Sequence, residues 1–184
     1  EAETIGREGA DYALSLVDQK ASRVGLSVAM VLLGRNEEAT AIFEEDIEFI
    51  ASRKFTIIDG LPRLFNGLIM MQMGNMAGGG RYIADTMAEA REIGKSGDVA
   101  TGNLLLGEVY TRMALGIDTP PLADIMRNLP YVLRTVPFAG RKARRHLEAA
   151  LEYTRKVDAP SFTAWAMYNL GRLDKKKKRS DAAK

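Results

Sequence analysis

Small residues recur along this chain at an interval that paired, closely packed helices explain. Ser27, Gly67 and Gly107 each follow an apolar stretch, and they lie 40 residues apart (67 − 27 and 107 − 67). Gly171 comes 64 residues later, which is 40 plus 24. Twelve residues beyond Ser27, Gly67 and Gly171 stands a second small residue: Ala39, Gly79 and Ala183. Beyond Gly107 the matching residue is Ala143, 36 on, the same 12 plus the same 24. One insertion between Gly107 and Ala143 therefore restores every pair to register. Two helices joined by a short turn close tightly only where side chains at the crossing are tiny, so a small residue on each helix marks the contact. Gly34 and Gly74 sit seven residues after their anchors, where a helix C-cap wants glycine. In the fourth unit that place is taken by Lys178, a weaker stop.

The register predicts an all-α chain. A leading helix is expected over residues 3–16, then pairs 20–33 with 36–51, 60–73 with 78–93, and 98–114 with 140–156. A last helix is expected over 160–176, with residues 180–184 opening its partner. As units, these are 1–19, 20–59, 60–97, 98–159 with the insertion 116–140, and a truncated 160–184. A leading helix without a partner for its apolar face, and Glu1 as the first residue, lead us to expect a piece of a longer protein. The insertion carries Ile117, Leu122, Ile125, Met126, Leu129, Val132 and Phe138, too much apolar surface for a solvated linker. It is expected to start a short helix near Pro121 and to lay its apolar side on the rest of the fold.

Three stretches carry a resemblance. Leu106-Gly107-Glu108-Val109-Tyr110 resembles the L-G-x-x-Y core of tetratricopeptide (TPR) repeats, and Ala39-Thr40-Ala41-Ile42-Phe43 resembles their A-x-x-x-F segment. Tyr168-Asn169-Leu170-Gly171, with Ala183 twelve on, is similar to a first TPR helix. The pattern departs from the family in its period of 40, against about 34, in the missing signature tryptophan, and in Gly79 at a place usually held by alanine. HEAT and armadillo units share the longer period and stay as a lesser alternative. The resemblance implies a TPR-like right-handed α-solenoid of antiparallel helix pairs with one inserted helical segment. Within the later half, Arg127-Asn128-Leu129-Pro130, Val136-Pro137-Phe138-Ala139 and the stretch from Arg141 to Glu148 resemble the C-terminal TPR-like tails of bacterial class III adenylate/guanylate cyclase–AAA ATPase multidomain proteins. A regulatory segment of a signalling cyclase or ATPase is what that implies, although no cyclase or ATPase motif stands in these residues.

Composition narrows the function classes. There is no cysteine, which removes disulfides, thiol chemistry and Cys-ligated zinc. No apolar run is long enough to cross a bilayer and no signal-peptide pattern opens the chain, so a cytoplasmic location is expected. His146 is the single histidine and sits among Arg144, Arg145 and Glu148, where a solvent-facing role is expected rather than a catalytic one. Glu44, Glu45, Asp46 and Glu48 lack metal-loop spacing and read as a solvated acidic face. Gly78-Gly79-Gly80 has neither a preceding strand nor a Gly-Lys-Ser/Thr ending, so it is no phosphate loop. Met70, Met71, Met73 and Met76 read as core filler. No catalytic residue, metal or cofactor is expected.

What remains is binding. In TPR arrays the first helices line the concave face, and carrying the lining positions over by register implies a partner groove at Val28, Leu64, Leu68, Glu108, Arg112, Trp165, Tyr168, Arg172, Lys175 and Lys176. Its first half is apolar and its second half basic, with two aromatics. Phe65 and Leu105 stand where a carboxylate clamp would need polar residues, which argues against a chaperone tail as ligand. The expected partner is a protein or peptide, including other domains of a parent chain; a second copy is allowed and a membrane is not. A nucleic-acid ligand for Lys175-Lys176-Lys177-Lys178-Arg179 is the alternative, disfavoured because no aromatics interleave the basic run to stack bases.

Overall fold

The computed structural model of the chain describes Thr4 and residues 16–53, 60–117 and 121–182, and every element among them is helical. Helices α1 (Leu16–Leu32) and α2 (Asn36–Arg53) are followed by α3 (Gly60–Gln72) and α4 (Met76–Glu92), then by α5 (Ser96–Leu115). Two short helices, α6 (Leu122–Arg127) and α7 (Leu129–Thr135), lead through a 3-10 turn at Val136–Phe138 into α8 (Ala139–Lys156) and α9 (Pro160–Ala182). No helix among the described residues is long and apolar enough to cross a membrane. The expected leading helix over 3–16 lies almost wholly outside the described residues, as does Ala183.

Glycines close the turns as expected. Gly34 and Gly74 take left-handed φ values of 77° and 90°. In each turn two backbone N–H groups return to the preceding helix: Gly34 to Val31 and Arg35 to Met30, then Gly74 to Met71 and Asn75 to Met70. These are the paired bonds that satisfy the last carbonyls of a helix. Asn75 then caps α4 by accepting from the Gly78 N–H at 3.0 Å.

Each helix packs on the next, α1 on α2, α2 on α3, α3 on α4 and α4 on α5. Past the insertion, α5 packs on α8 and α8 on α9. A second set of contacts joins every other long helix: α1 to α3, α3 to α5, and α5 to α9. Most of the small residues of the register are enclosed. Ser27, Ala39 and Ala143 are fully buried, and a Cβ on Gly107 would meet the Leu147 side chain of α8. At Gly67 and Gly79 the approach is backbone to backbone: a Cβ on Gly79 would overlap the Gly67 carbonyl oxygen and lie 2.8 Å from the Met71 nitrogen. A first core cluster gathers Val24, Met30, Phe43 and Ile69, and a second gathers Leu64, Ile83, Leu104 and Leu147. Phe65 and Leu68 touch both, and Phe65 stacks on Phe43 with ring centroids 6.2 Å apart.

Four expectations about the helices need correction. Met73, expected as core filler, is half exposed. The fourth anchor, Gly171, is exposed, with nothing within 4 Å of where its Cβ would be. The helix expected to stop near 176 runs unbroken to Ala182, because lysine is a good helix former, and cations suit a helix C-terminal end. The acidic face of α2 is also not uniformly solvated. Asp46 is wholly buried and meets Arg23 Nε at 3.2 Å across the α1–α2 contact, while Glu44, Glu45 and Glu48 remain exposed.

Candidate binding groove

Helical periodicity puts residues three, four and seven apart on one face. On α3 this aligns Phe65, Leu68 and Gln72, and on α5 it aligns Leu105, Glu108 and Arg112. Together with Val28 of α1 and Trp165 of α9, these residues line one side of a groove of about 770 Å³. The opposite wall comes from the insertion, through Ile125, Tyr131, Val132 and Val136. A buried asparagine holds that wall in place. Asn128, at the α6–α7 junction, donates to the Gly74 carbonyl at 2.6 Å and accepts from the Met76 N–H at 3.2 Å. The insertion thus grips the α3–α4 turn through the turn's own backbone groups.

Of the groove residues expected from the resemblance, Val28, Leu68, Glu108, Arg112 and Trp165 line this space. Leu64 does not: it is fully buried in the core, one position short of the groove-facing Phe65. Tyr168 and Arg172 stand beside the groove and join a polar cluster between α5 and α9. The Trp165 indole N–H donates to Glu108 Oε2 at 3.3 Å, and Arg172 Nη1 lies 3.7 Å from Glu108 Oε1. Arg172 also donates to Asn169 Oδ1 at 3.0 Å, and its guanidinium lies over the Tyr168 ring, 5.5 Å from the centroid. Buried Asn169 is anchored in turn by donating to the Trp165 carbonyl at 3.2 Å. Lys175 is exposed, and Lys176 reaches away to donate to the Ala114 carbonyl at the end of α5.

His146 is not the solvent-facing residue expected. It sits half-buried between α5 and α8, with Nδ1 2.9 Å from Asn103 Oδ1 and its ring tilted against Tyr110 at 5.6 Å between centroids. Asn103 Nδ2 donates to the Val99 carbonyl, so its oxygen is left to face the imidazole, which then donates from Nδ1. Burial, with Arg145 and Lys142 nearby, lowers the His146 pKa from 6.5 to about 4. The ring is therefore neutral at neutral pH and serves as a donor within the interface. Burial likewise pushes the Tyr131 phenol far above its usual range, which keeps it a neutral group in the groove wall.

No protein-family model, curated protein or solved structure matches the chain. Among the described residues no group of His, Asp or Glu side chains is arranged to hold a metal ion.

Asn128, Asn103 and the insertion wall are the site residues that the register did not point to. For Asn128 the signal was local: an asparagine directly before Leu-Pro marks a break between helices. The wall residues were marked only as apolar residues of the insertion that would lie on the fold, with nothing to say that they face α3 and α5 across a groove, and for Asn103 nothing local distinguished it.

Proposed function

We propose that the chain is a TPR-like right-handed α-solenoid segment whose job is to bind a protein or peptide, with no catalytic step of its own. The observation that supports this best is the second set of helix contacts. α1, α3, α5 and α9 meet in succession, which is how first helices line the inner face of a stacked-pair array. The partner's track is the open end of that face along α9. Exposed Tyr168 and Lys175 lie seven residues apart with Arg172 between them, a row of aromatic and cationic groups suited to an acidic peptide. As the resemblance of residues 127–148 implies, the partner belongs to the machinery of a bacterial signalling nucleotide cyclase or ATPase, and sequencing the flanking reading frame tests that part.

The binding itself is tested by selecting peptides from a random library on the 184-residue chain. Acidic sequences should emerge, and they should lose affinity for Tyr168→Ala and Lys175→Glu, two exposed changes that leave folding intact. Selection that returns nothing, or peptides indifferent to both substitutions, would overturn the proposal. Retention of single-stranded nucleic acid with a steep negative salt slope would favour the basic end of α9 as a nucleic-acid site instead.

A further inference from the structure

The groove differs from an open concave face in having a second wall. At about 770 Å³ it falls within the ~300–1,000 Å³ span of small-molecule sites, which are mostly apolar with a few placed polar groups. An α-helix about 10–12 Å across would use that volume in roughly one and a half turns. Helix docking draws on anchors from i to i+7, a longer stretch than that. Water is also a poor occupant, because side chains such as Leu68, Val109, Ile125 and Val132 offer it no hydrogen bonds.

The charges at the walls narrow the ligand further. Glu108 is offset by Arg172 at 3.7 Å and by the Trp165 N–H, and Asp124 by Arg127 at 3.7 Å, while Arg112, the cation on the lining, lies at its water-exposed edge and is itself engaged by a neighbour. A ligand bringing its own charge into this space would be stripped of water, and the carboxylates there already have counterions. Gln72 offers a neutral donor and acceptor instead.

From these features we infer that the space between α3, α5 and the insertion is a binding site for an uncharged, largely apolar small molecule, such as a neutral lipid-like compound carrying one hydrogen-bonding group. Trp165, the only tryptophan in the chain, lines the site, so an occupant reports on itself through the indole. The inference stands apart from the peptide proposal. Peptide selection can fail while this site fills, and the reverse.

The experiment titrates the 184-residue chain with N-phenyl-1-naphthylamine, a neutral apolar fluorophore that accepts energy from tryptophan. Saturable transfer from Trp165 at one probe per chain is the expected result, and the anionic dye 8-anilinonaphthalene-1-sulfonate should bind at least about tenfold more weakly. Val132→Arg places a charge in the insertion wall and should weaken the neutral probe by at least about tenfold. Leu133→Ala, on the same helix but 65% exposed and outside the groove lining, should bind like the parent. Circular dichroism of both variants checks that they are folded. No saturable transfer in the parent chain, or equal loss in both folded variants, would overturn the inference. So would preference for the anionic dye, or a dimer in sedimentation that Val132→Arg converts to monomer, since a second copy would then be covering the groove.

Discussion

Gly79→Ala isolates the backbone contact that sets the α3–α4 spacing. In a helix interior alanine is favoured over glycine by about 1 kcal/mol, so at an open site the change stabilises. Gly171 is such a site, with nothing within 4 Å of a built Cβ, and Gly171→Ala should raise stability by about 0.5–1 kcal/mol. At Gly79 the same methyl group meets the Gly67 carbonyl oxygen, with Met71 N at 2.8 Å and Met71 Cγ at 2.6 Å. Two of those three atoms are backbone and have no rotamer to escape into. The helices must part, and overpacking of this kind costs about 1–3 kcal/mol. Since the clash is with main chain, the upper part of that range applies, and subtracting the propensity gain leaves Gly79→Ala destabilised by roughly 1–2 kcal/mol. At about 2–4 °C per kcal/mol for a domain of this size, Tm falls by about 3–6 °C, while Gly171→Ala rises by about 2–3 °C. Thermal melts followed at 222 nm compare the three proteins directly. If Gly79→Ala melts at or above the parent, the close approach of α3 and α4 is wrong, and with it the physical reason for the 40-residue register. The result also bears on why this position holds glycine: Gly67 brings the two backbones closer than alanine permits.

Gly107→Leu should cost roughly 2–4 kcal/mol in urea melts, since even its first carbon would sit 2.6 Å from Leu147 Cδ2, a side chain that is itself fully enclosed. Asn128→Ala leaves the Gly74 carbonyl and the Met76 N–H without their partner, a loss of about 1–3 kcal/mol, and should speed tryptic cleavage at Arg127 and Arg134; cleavage in the parent as fast as in the variant would mean that the insertion is not held by this contact. Asp46→Ala removes the buried partner of Arg23, which keeps the exposed Glu45 at 2.5 Å, and should destabilise by about 1–2 kcal/mol, with Asp46→Asn recovering part of it. His146 has its pKa depressed to about 4, so the unfolded chain takes up a proton at higher pH than the folded one. Its contribution is complete above about 6.5 and is lost as pH falls from there toward 4; by pH 5 the parent should lose about 1 kcal/mol more than His146→Gln, after allowing for the ring's partial contact with water. Urea midpoints of both proteins at pH 7 and pH 5 check this, and parallel loss in the two would remove His146 as the cause.

What was legible in the sequence is what local chemistry determines. Gly34 and Gly74 announce left-handed caps because almost nothing else adopts that backbone cheaply. Gly67 and Gly79 announce a close crossing because a helix cannot approach another through side chains. The insertion announced its helices through Pro121 and through apolar residues that water would not tolerate. Three of the failures share one form, in that each depends on a partner distant in sequence. Asp46 looked solvated among three other carboxylates, yet its environment is set by Arg23 on the neighbouring helix. His146 is defined by Asn103, 43 residues away. Gly171 has the right identity at the right interval but no helix over it, so spacing alone could not separate a packing glycine from an exposed one. Leu64 shows how fine the margin is. A helix turns about 100° per residue, so carrying a lining position over with an error of one moves it from groove to core.

Helix α3 links the groove to the stability of the whole. Phe65 and Leu68 face the groove and also bridge the two core clusters, while Leu64 and Ile69 beside them are sealed inside. The joint between the clusters is therefore one wall of the groove. Anything that fills the groove adds contacts at that joint in the folded state only, so occupancy raises stability by RT ln(1 + [L]/Kd), about 2.7 kcal/mol at a hundredfold excess over Kd. The coupling runs both ways. A substitution at Phe65 or Leu68 intended to alter binding also loosens the contact between clusters, and its effect on affinity cannot be separated from its effect on folding. Val132 and Ile125 line the same space from the insertion, outside both core clusters, so changes there can alter the groove while leaving the joint intact. That asymmetry between the two walls makes the insertion the part of this fold where the lining of the groove can vary at least cost to the rest of the structure.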